Sequence, residues 1–303
     1  MKIAVIGAGA MGSVYGGHLS LHNEVLLVDT NSELVKTINE KGLTLIENGQ
    51  ENRYYPTAIT DTGNRECVDL VILFVKALYS RSALMSNRNL IGDKTYILTL
   101  QNGSGHEDIL REFVAEDHII IGTTEDNGAV KGMGIVAHGG EGRTNIGMLP
   151  GQELSVLEEI KEMFDRCGFQ TRIHENIQYL IWHKLFTNVS LSAVTAVLQV
   201  KMGFIAGNES AWALTHRLVQ EALAVAEKMN LHFEEADIVE EVRRTSLNNP
   251  EGMTSICADI LNHRKTEVDT ISGSVVRAAE KYHVAVPTHE AIVNMIHALE
   301  ARE

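Results

Sequence analysis

Gly7, Gly9 and Gly12 stand in G-x-G-x-x-G spacing directly after a short apolar run, Lys2 to Ile6. A helix-forming stretch, Ala10 to Leu21, follows, then a second apolar run, Glu24 to Val28, closed by Asp29. Those residue types at that spacing can hold a dinucleotide. Gly7 supplies a tight turn, Gly9 lets the backbone approach a pyrophosphate, and Gly12 lets helix and strand pack closely. The helix N-terminus offers N–H groups to the phosphates, and an acid about 20 residues after the glycines suits the ribose hydroxyls. The strand–turn–helix context makes this a Rossmann-type site, where the glycines alone would be a turn of some other α/β fold.

Further along, Lys184 and Asn188 lie four residues apart in Ile181-Trp182-His183-Lys184-Leu185-Phe186-Thr187-Asn188, so they share a helix face. On a mostly apolar helix that pair is costly unless it meets a polar ligand, although a lysine can also reach out to a domain surface. Lys76 ends a buried strand, and Asn102 follows the next one in Gln101-Asn102-Gly103. At the carboxyl edge of a sheet, a lysine can neutralise a phosphate or carboxylate, and an asparagine can hold a nicotinamide, ribose or substrate oxygen. Ordinary strand-end capping is the competing reading for both. Met253 to Asp269 gathers Ser255, Asp259, His263, Arg264, Lys265, Glu267 and Asp269, a pattern that by itself describes the solvated face of an amphipathic helix.

The elements that must position these residues fall into two halves. After Asp29, Ser32 to Lys41 reads as a helix, and Leu43 to Asn48 with Glu51 to Pro56 as a hairpin across Asn48-Gly49. Leu70 to Val75 and Tyr96 to Leu100 are unbroken apolar runs, as expected for parallel strands buried on both faces. Helices are expected at 80–90 and 107–113, a strand at 119–123, and late antiparallel strands at 135–138 and 144–146. A turn at Gly147 to Gly151 precedes an amphipathic helix at 154–167. From about Glu175 helical periodicity dominates, over 179–206, 209–230, 234–246, 253–281 and 288–301. The expectation is an α/β fold: an N-terminal Rossmann-type parallel-sheet domain at 1–174, then an all-α domain at 175–303, with the site in a cleft between them.

The bulk numbers narrow the class. A chain of 303 residues with 44% hydrophobic content and 4 prolines is ordinary for a globular protein of two domains. With 26 basic and 40 acidic residues, the net charge of −14 repels nucleic acids and anionic membranes. Cys67, Cys167 and Cys257 are far apart and odd in number, which suggests free thiols in a reducing compartment. No signal peptide is expected, and the apolar stretch Leu185 to Gly207 is too polar to span a bilayer, so a cytoplasmic protein is expected. No metal site is expected. His18 and His22 are spaced H-x-x-x-H but lack an evident third ligand, so they read as surface histidines.

Taken together, these pieces resemble the ketopantoate reductase (2-dehydropantoate 2-reductase) family over essentially the whole chain. The resemblance rests on Gly7-Ala8-Gly9-Ala10-Met11-Gly12, Val75-Lys76, Gln101-Asn102-Gly103, Gly122-Thr123-Thr124, Lys184 with Asn188, Ser255, Thr266-Glu267-Val268-Asp269 and Ala285-Val286-Pro287-Thr288. It implies reduction of a 2-oxo acid to a D-2-hydroxy acid by a nicotinamide cofactor. Lys184 would be the general acid and Glu267 would position it or bond a substrate hydroxyl. Asn188 and Ser255 would grip the substrate, and Asn102 and Lys76 would complete the cofactor-side wall.

Two departures from the family's pattern bear on specificity. The family's usual cofactor, NADPH, is held by a basic residue just after the second strand, whereas here Val28-Asp29-Thr30-Asn31 has none. A carboxylate there repels a 2′-phosphate, so NAD(H) is expected over NADP(H). Ser192 stands where the substrate helix usually carries an asparagine, and Asn127 stands where a histidine or aromatic residue is frequent. Both touch the expected substrate pocket. The leading expectation is conversion of ketopantoate to D-pantoate. The alternatives are an NAD-dependent D-2-hydroxyacid dehydrogenase acting on other branched or aromatic 2-oxo acids, and a nucleotide sensor without chemistry. A homodimer is a further possibility.

Overall fold

The computed structural model describes residues 1–303 except Asn64, Glu141 and Glu303. It divides into two compact units, the first made of residues 1–101 and 106–177 and the second of 102–105 and 178–303.

Among its described residues the first unit holds twelve strands: β1 (Lys2–Ile6), β2 (Glu24–Val28), β3 (Leu43–Glu47), β4 (Gln50–Tyr54), β5 (Thr57–Ile59), β6 (Leu70–Leu73), β7 (Tyr96–Thr99), β8 (Ile119–Thr124), β9 (Gly128–Gly132), β10 (Ile135–His138), β11 (Arg143–Met148) and β12 (Gln170–Ile173). Its helices are α1 (Ala10–Leu19), α2 (Ser32–Lys41), α3 (Ser80–Ser86), α4 (Glu107–Leu110) and α5 (Ser155–Arg166).

The main sheet runs β12-β11-β8-β7-β6-β1-β2-β5. Its parallel strands β5, β2, β1, β6, β7 and β8 follow the 3-2-1-4-5-6 order of a doubly wound dinucleotide fold. The order reverses between β1 and β6, and that switch point is where such sheets take ligands. β11 joins antiparallel to β8 and parallel to β12.

A second sheet, β4-β3-β10-β9, explains why α1 lacks a polar face. Gly16 lies against Leu27 of the main sheet, and Gly17 against Leu43 and Leu45 of the small one. The helix is thus buried on two sides, with Val14, Tyr15 and Leu19 fully enclosed. The Tyr15 hydroxyl meets Thr124 and Thr144 at 3.0 and 2.7 Å, and burial pushes its phenol above the usual range.

The glycine motif is built as its spacing requires. Gly7 has φ of 101° and lies against the backbone of Phe74, and a Cβ on Gly12 would fall 1.8 Å from the Gly7 carbonyl oxygen. A Cβ on Gly9 would meet nothing within 4 Å. Gly12→Ala is therefore expected to cost about 3 kcal/mol or more in urea unfolding, since backbone must move to admit it. Gly9→Ala should keep wild-type stability, because its methyl meets nothing within 4 Å, yet weaken dinucleotide binding at least tenfold by fluorescence titration if the turn holds the pyrophosphate that its glycine spacing leads one to expect. Equal stability losses in the two variants would refute the distinction.

The second unit is helical: α6 (Ile177–Thr187), a π turn (Asn188–Ser192), α7 (Ala193–Leu198), α8 (Met202–Gly207), α9 (Glu209–Lys228), α10 (Glu235–Asn248), α11 (Ser255–Leu261), α12 (Ser272–Tyr282) and α13 (Pro287–Glu300). Its core joins Trp182, Phe186 and Val194 to Leu218, Val275 and Ile296. No helix among the described residues is long and apolar enough to cross a membrane.

Three expectations change. The stretch 179–206 is not one helix: the π turn interrupts it, and Gln199 ends α7 in the left-handed region at φ of 54°. The stretch 253–281 is not one helix either, because His263 takes φ of 52° after α11 and residues 262–271 form a loop. Glu267 therefore sits on a loop, not on a solvated helix face. The short strands β5, β9 and β12 escape the sequence pattern, since each is an edge strand with only one paired side.

Candidate active site

At the switch point of the first unit, the N-terminus of α1 is prepared for an anion. Its N-cap is Gly9, with no side-chain cap and no acid in the first turn. The first N–H groups of the helix thus have no side chain competing for them. Asp29, at the end of β2, is held from both sides: Oδ2 accepts the Ala8 N–H at 2.8 Å and Oδ1 the Asn31 N–H at 2.9 Å. Asn31 in turn caps α2 through the Glu33 and Leu34 N–H groups. One carboxylate thus ties the glycine turn to the start of α2.

A cleft of about 370 Å³ opens beside it, lined by Gly7, Val28, Asp29, Thr30, Asp61, Val75, Tyr79 and Asn87 among others. Among the described residues, none of its lining is lysine or arginine. An open Gly9, an uncapped helix end and a fixed carboxylate at the second strand fit the pyrophosphate and ribose of a nicotinamide dinucleotide. Thr30, Asp61, Tyr79 and Asn87 were not singled out from sequence. The polar ones look like ordinary loop residues until the main sheet gathers them.

Lys76, half-buried, begins the turn after β6, and its carbonyl accepts the Tyr79 N–H at 2.8 Å. The neighbouring strand end is held by Gln101, whose Nε2 donates to the Val75 carbonyl at 2.6 Å and whose Oε1 accepts from Thr99 at 2.8 Å. Gln101 thereby joins the carboxyl ends of two parallel strands.

Asn102 follows Gln101 directly, yet the turn 102–105 packs with the second unit. The Ser104 N–H donates to the Thr270 carbonyl at 3.0 Å. Gly103 has φ of 98°, and a Cβ there would lie 2.0 Å from that same oxygen. The Glu267 carbonyl accepts the Thr270 and Ile271 N–H groups, both at 3.1 Å. Asn102 and Glu267, 165 residues apart by their numbers, therefore belong to two segments locked together.

Lys184 on α6 is exposed and Asn188, which opens the π turn, is half-buried, while Ser192 at the end of that turn is buried. In an α-helix each four-residue step drifts about 40° around the axis. The π turn winds more slowly and reverses that drift, keeping 184, 188 and 192 on one face. Ser255 opens α11 and is exposed, just after Thr254. Thr254 caps α11, and its Oγ1 meets that of Thr195 on α7 at 2.7 Å, which ties Ser255 to the same helical run.

The loop carrying Glu267 is anchored by Glu300 of α13. Glu300 Oε1 accepts the Thr266 N–H at 2.8 Å and the Thr266 hydroxyl at 2.6 Å, and Oε2 meets Lys265 Nζ at 3.2 Å. Burial alone would raise this carboxyl, but the hydrogen bonds from Thr266, His297 and Lys265 outweigh it and hold it below the usual range. Its contribution to stability is thus present above the ordinary glutamate range and fades as pH falls through the lowered folded value. Glu300→Ala leaves the Thr266 N–H and hydroxyl, besides Lys265 and His297, without their acceptor, so a loss of about 1–3 kcal/mol is expected in urea unfolding at pH 7. The deficit should shrink as the wild type is acidified. A deficit independent of pH would show that the charged form is not what matters.

Known proteins resemble this chain over its whole length. The family model described as ketopantoate reductase PanE/ApbA matches residues 3–151, and that of its C-terminal part matches 176–300. The 2-dehydropantoate 2-reductase of Lactococcus lactis is 32% identical, over 99% of this chain and 98% of its own. That of Pyrococcus horikoshii is also 32% identical, with the same two shares, 99% and 98%. A ternary structure of D-mandelate dehydrogenase with NADH and anilino(oxo)acetate matches with a TM-score of 0.90 at 31% identity, over 99% of this chain and 98% of its own. With both halves matched and relatives spanning the full length, the chain belongs to the ketopantoate reductase PanE/ApbA family of nicotinamide-dependent oxidoreductases.

Proposed function

We propose that this chain uses NADH to reduce a 2-oxo acid to the D-2-hydroxy acid, with 2-dehydropantoate as the substrate and D-pantoate as the product. The observation that carries the reading is the assembly within the second unit: the Lys184–Asn188 face with its π turn, and the Asn102 turn locked to the Glu267 loop. Relatives named 2-dehydropantoate 2-reductase support the substrate.

The bound nicotinamide supplies a hydride to the 2-oxo carbon. As charge grows on the oxygen, the Lys184 ammonium stabilises it and delivers the proton. Glu267 orients Lys184 or accepts from a substrate hydroxyl. Asn188, Ser192 and Ser255 hold the carboxylate and hydroxyl, and Asn102 with Lys76 forms the wall on the cofactor side. Asp29 accepts the ribose hydroxyls and repels a 2′-phosphate, which favours NADH over NADPH.

A second reading has its own observations. The likeness to D-mandelate dehydrogenase with NADH, and the short Ser192 at the substrate helix, favour a D-2-hydroxyacid dehydrogenase acting on branched or aromatic 2-oxo acids. Steady-state rates over a panel of 2-oxo acids, each with NADH and NADPH, decide between them. A preference of about tenfold, ~1.4 kcal/mol, for a substrate other than ketopantoate ends the first reading. No turnover of any 2-oxo acid would leave a nucleotide sensor.

A further inference from the structure

A second polar constellation lies in the first unit, at the opposite end of α1 from the glycine turn. His18 is eight residues beyond Ala10, about 12 Å along the helix axis. It is not the surface histidine that its spacing with His22 suggests. His22 is exposed, whereas the His18 side chain is 17% exposed and Nε2 lies 2.7 Å from Glu47 Oε1. His138, at the end of β10, brings Nδ1 to 2.8 Å from the same oxygen. The three ligand-type atoms all lie within 4.8 Å of one another. A cavity of about 480 Å³ adjoins them, lined also by Asn48, Gln50 and Gly140.

We infer that His18, Glu47 and His138 form a site for a divalent metal ion of borderline softness, zinc in class, with a fourth position open to water from the adjoining cavity. The donor set of two imidazoles and one carboxylate is one that zinc accepts, with the fourth position left for water. A tetrahedral site with bonds of about 2.0–2.1 Å separates its ligand atoms by about 3.3 Å. To admit the ion, Glu47 Oε1 draws back about half an ångström from each ring, and the two ring nitrogens, which lie within 4.8 Å of each other, settle to about 3.3 Å apart.

The surroundings carry the argument further than the three atoms do. Zinc-bound histidines nearly always donate their other ring N–H to a carboxylate or carbonyl. Here His18 Nδ1 donates to the Cys167 carbonyl at 3.2 Å, and His138 Nε2 to Asp126 Oδ1 at 3.1 Å. Asp126 is itself fixed by the Gly142 N–H at 2.9 Å and the Thr124 hydroxyl at 3.2 Å. The far oxygen of Glu47 accepts from Asn52 Nδ2 and the Tyr54 hydroxyl, both at 3.0 Å. Each ligand is thus already oriented by a partner, while the atoms facing one another are bridged only by hydrogens that an ion would displace. Two neutral imidazoles with two carboxylates also balance a doubly positive ion. Such an ion would tie the end of α1 to the small sheet and to the loop after β8. The inference is independent of the proposed reaction.

The test uses the full-length protein, stripped with a chelator and titrated with zinc by calorimetry. One equivalent per chain, with Kd tighter than about 1 μM and proton release seen as a buffer-dependent heat, is expected. Cobalt in place of zinc should give the intense visible bands of a tetrahedral site. Glu47→Gln and His138→Asn should each weaken binding more than about 100-fold, Asp126→Asn by about 10- to 100-fold, and His22→Asn not at all. Binding below one equivalent, an octahedral cobalt spectrum, or wild-type affinity in Glu47→Gln and His138→Asn overturns the inference. The wild-type stoichiometry and spectrum remain decisive should any variant fail to fold.

Discussion

Lys184→Ala is expected to lower kcat/KM for 2-oxo acid reduction by about 10³- to 10⁴-fold while leaving NADH affinity within about twofold. The magnitude combines two losses, the proton donor and the positive charge beside the oxygen that receives hydride charge. Lys184→Arg separates them, because a guanidinium keeps the charge but does not give up a proton near neutral pH. The arginine variant should therefore recover only part of the rate. NADH affinity should hold because the glycine turn and Asp29 belong to the other unit. Steady-state kinetics with a parallel fluorescence titration of NADH checks both halves. A fall of less than tenfold in kcat/KM would remove Lys184 from the reaction. A matching fall in NADH affinity would move it to the cofactor.

Replacing Asp29 should have the second largest effect, on the choice of cofactor. The wild type is expected to favour NADH over NADPH in kcat/KM, and Asp29→Asn to shift that ratio by about 10²-fold toward NADPH. A hydrogen bond to a charged group is worth about 1.5–3 kcal/mol, and removing the negative charge also lifts its repulsion of a 2′-phosphate. Asparagine is the informative replacement, because its one acceptor oxygen can retain the Ala8 or the Asn31 N–H, now at 2.8 and 2.9 Å from the carboxylate. Asp29→Ala loses both and should weaken both cofactors by loosening the glycine turn itself. Measuring KM for each cofactor in each variant tells recognition from scaffolding. An unchanged NADH-to-NADPH ratio in Asp29→Asn would mean that the absence of a basic residue along this cleft, and not the carboxylate, sets the preference.

How much was legible in the chain differs from place to place. The glycine turn was readable residue by residue because its parts are contiguous and each answers a local steric demand. Gly7 needs positive φ, and Gly12 must clear a carbonyl 1.8 Å from where its Cβ would be. The buried parallel strands were readable because burial on both faces leaves an unbroken apolar run. Lys184 and Asn188 were readable as a pair by helical spacing. Glu267 was not, since Met253 to Asp269 has the composition of a solvated helix and only the left-handed His263 breaks it into a loop. The edge strands β5, β9 and β12 were invisible for a related reason: one paired side asks little of the side chains.

Neighbouring residues were enough to specify the local devices: the tight glycine turn, the acid that closes the second strand, and the lysine and asparagine that share a face. What is gathered from afar came from the packing of the whole chain. That packing set the Asn102 turn on Thr270, wound the π turn beneath Lys184, and brought His18, Glu47 and His138 to one point. The physical reason is that local chemistry is written in neighbouring residues, whereas a convergence of distant side chains depends on sheet order and helix packing. Those follow from burial summed over the whole chain, and no single stretch carries that sum.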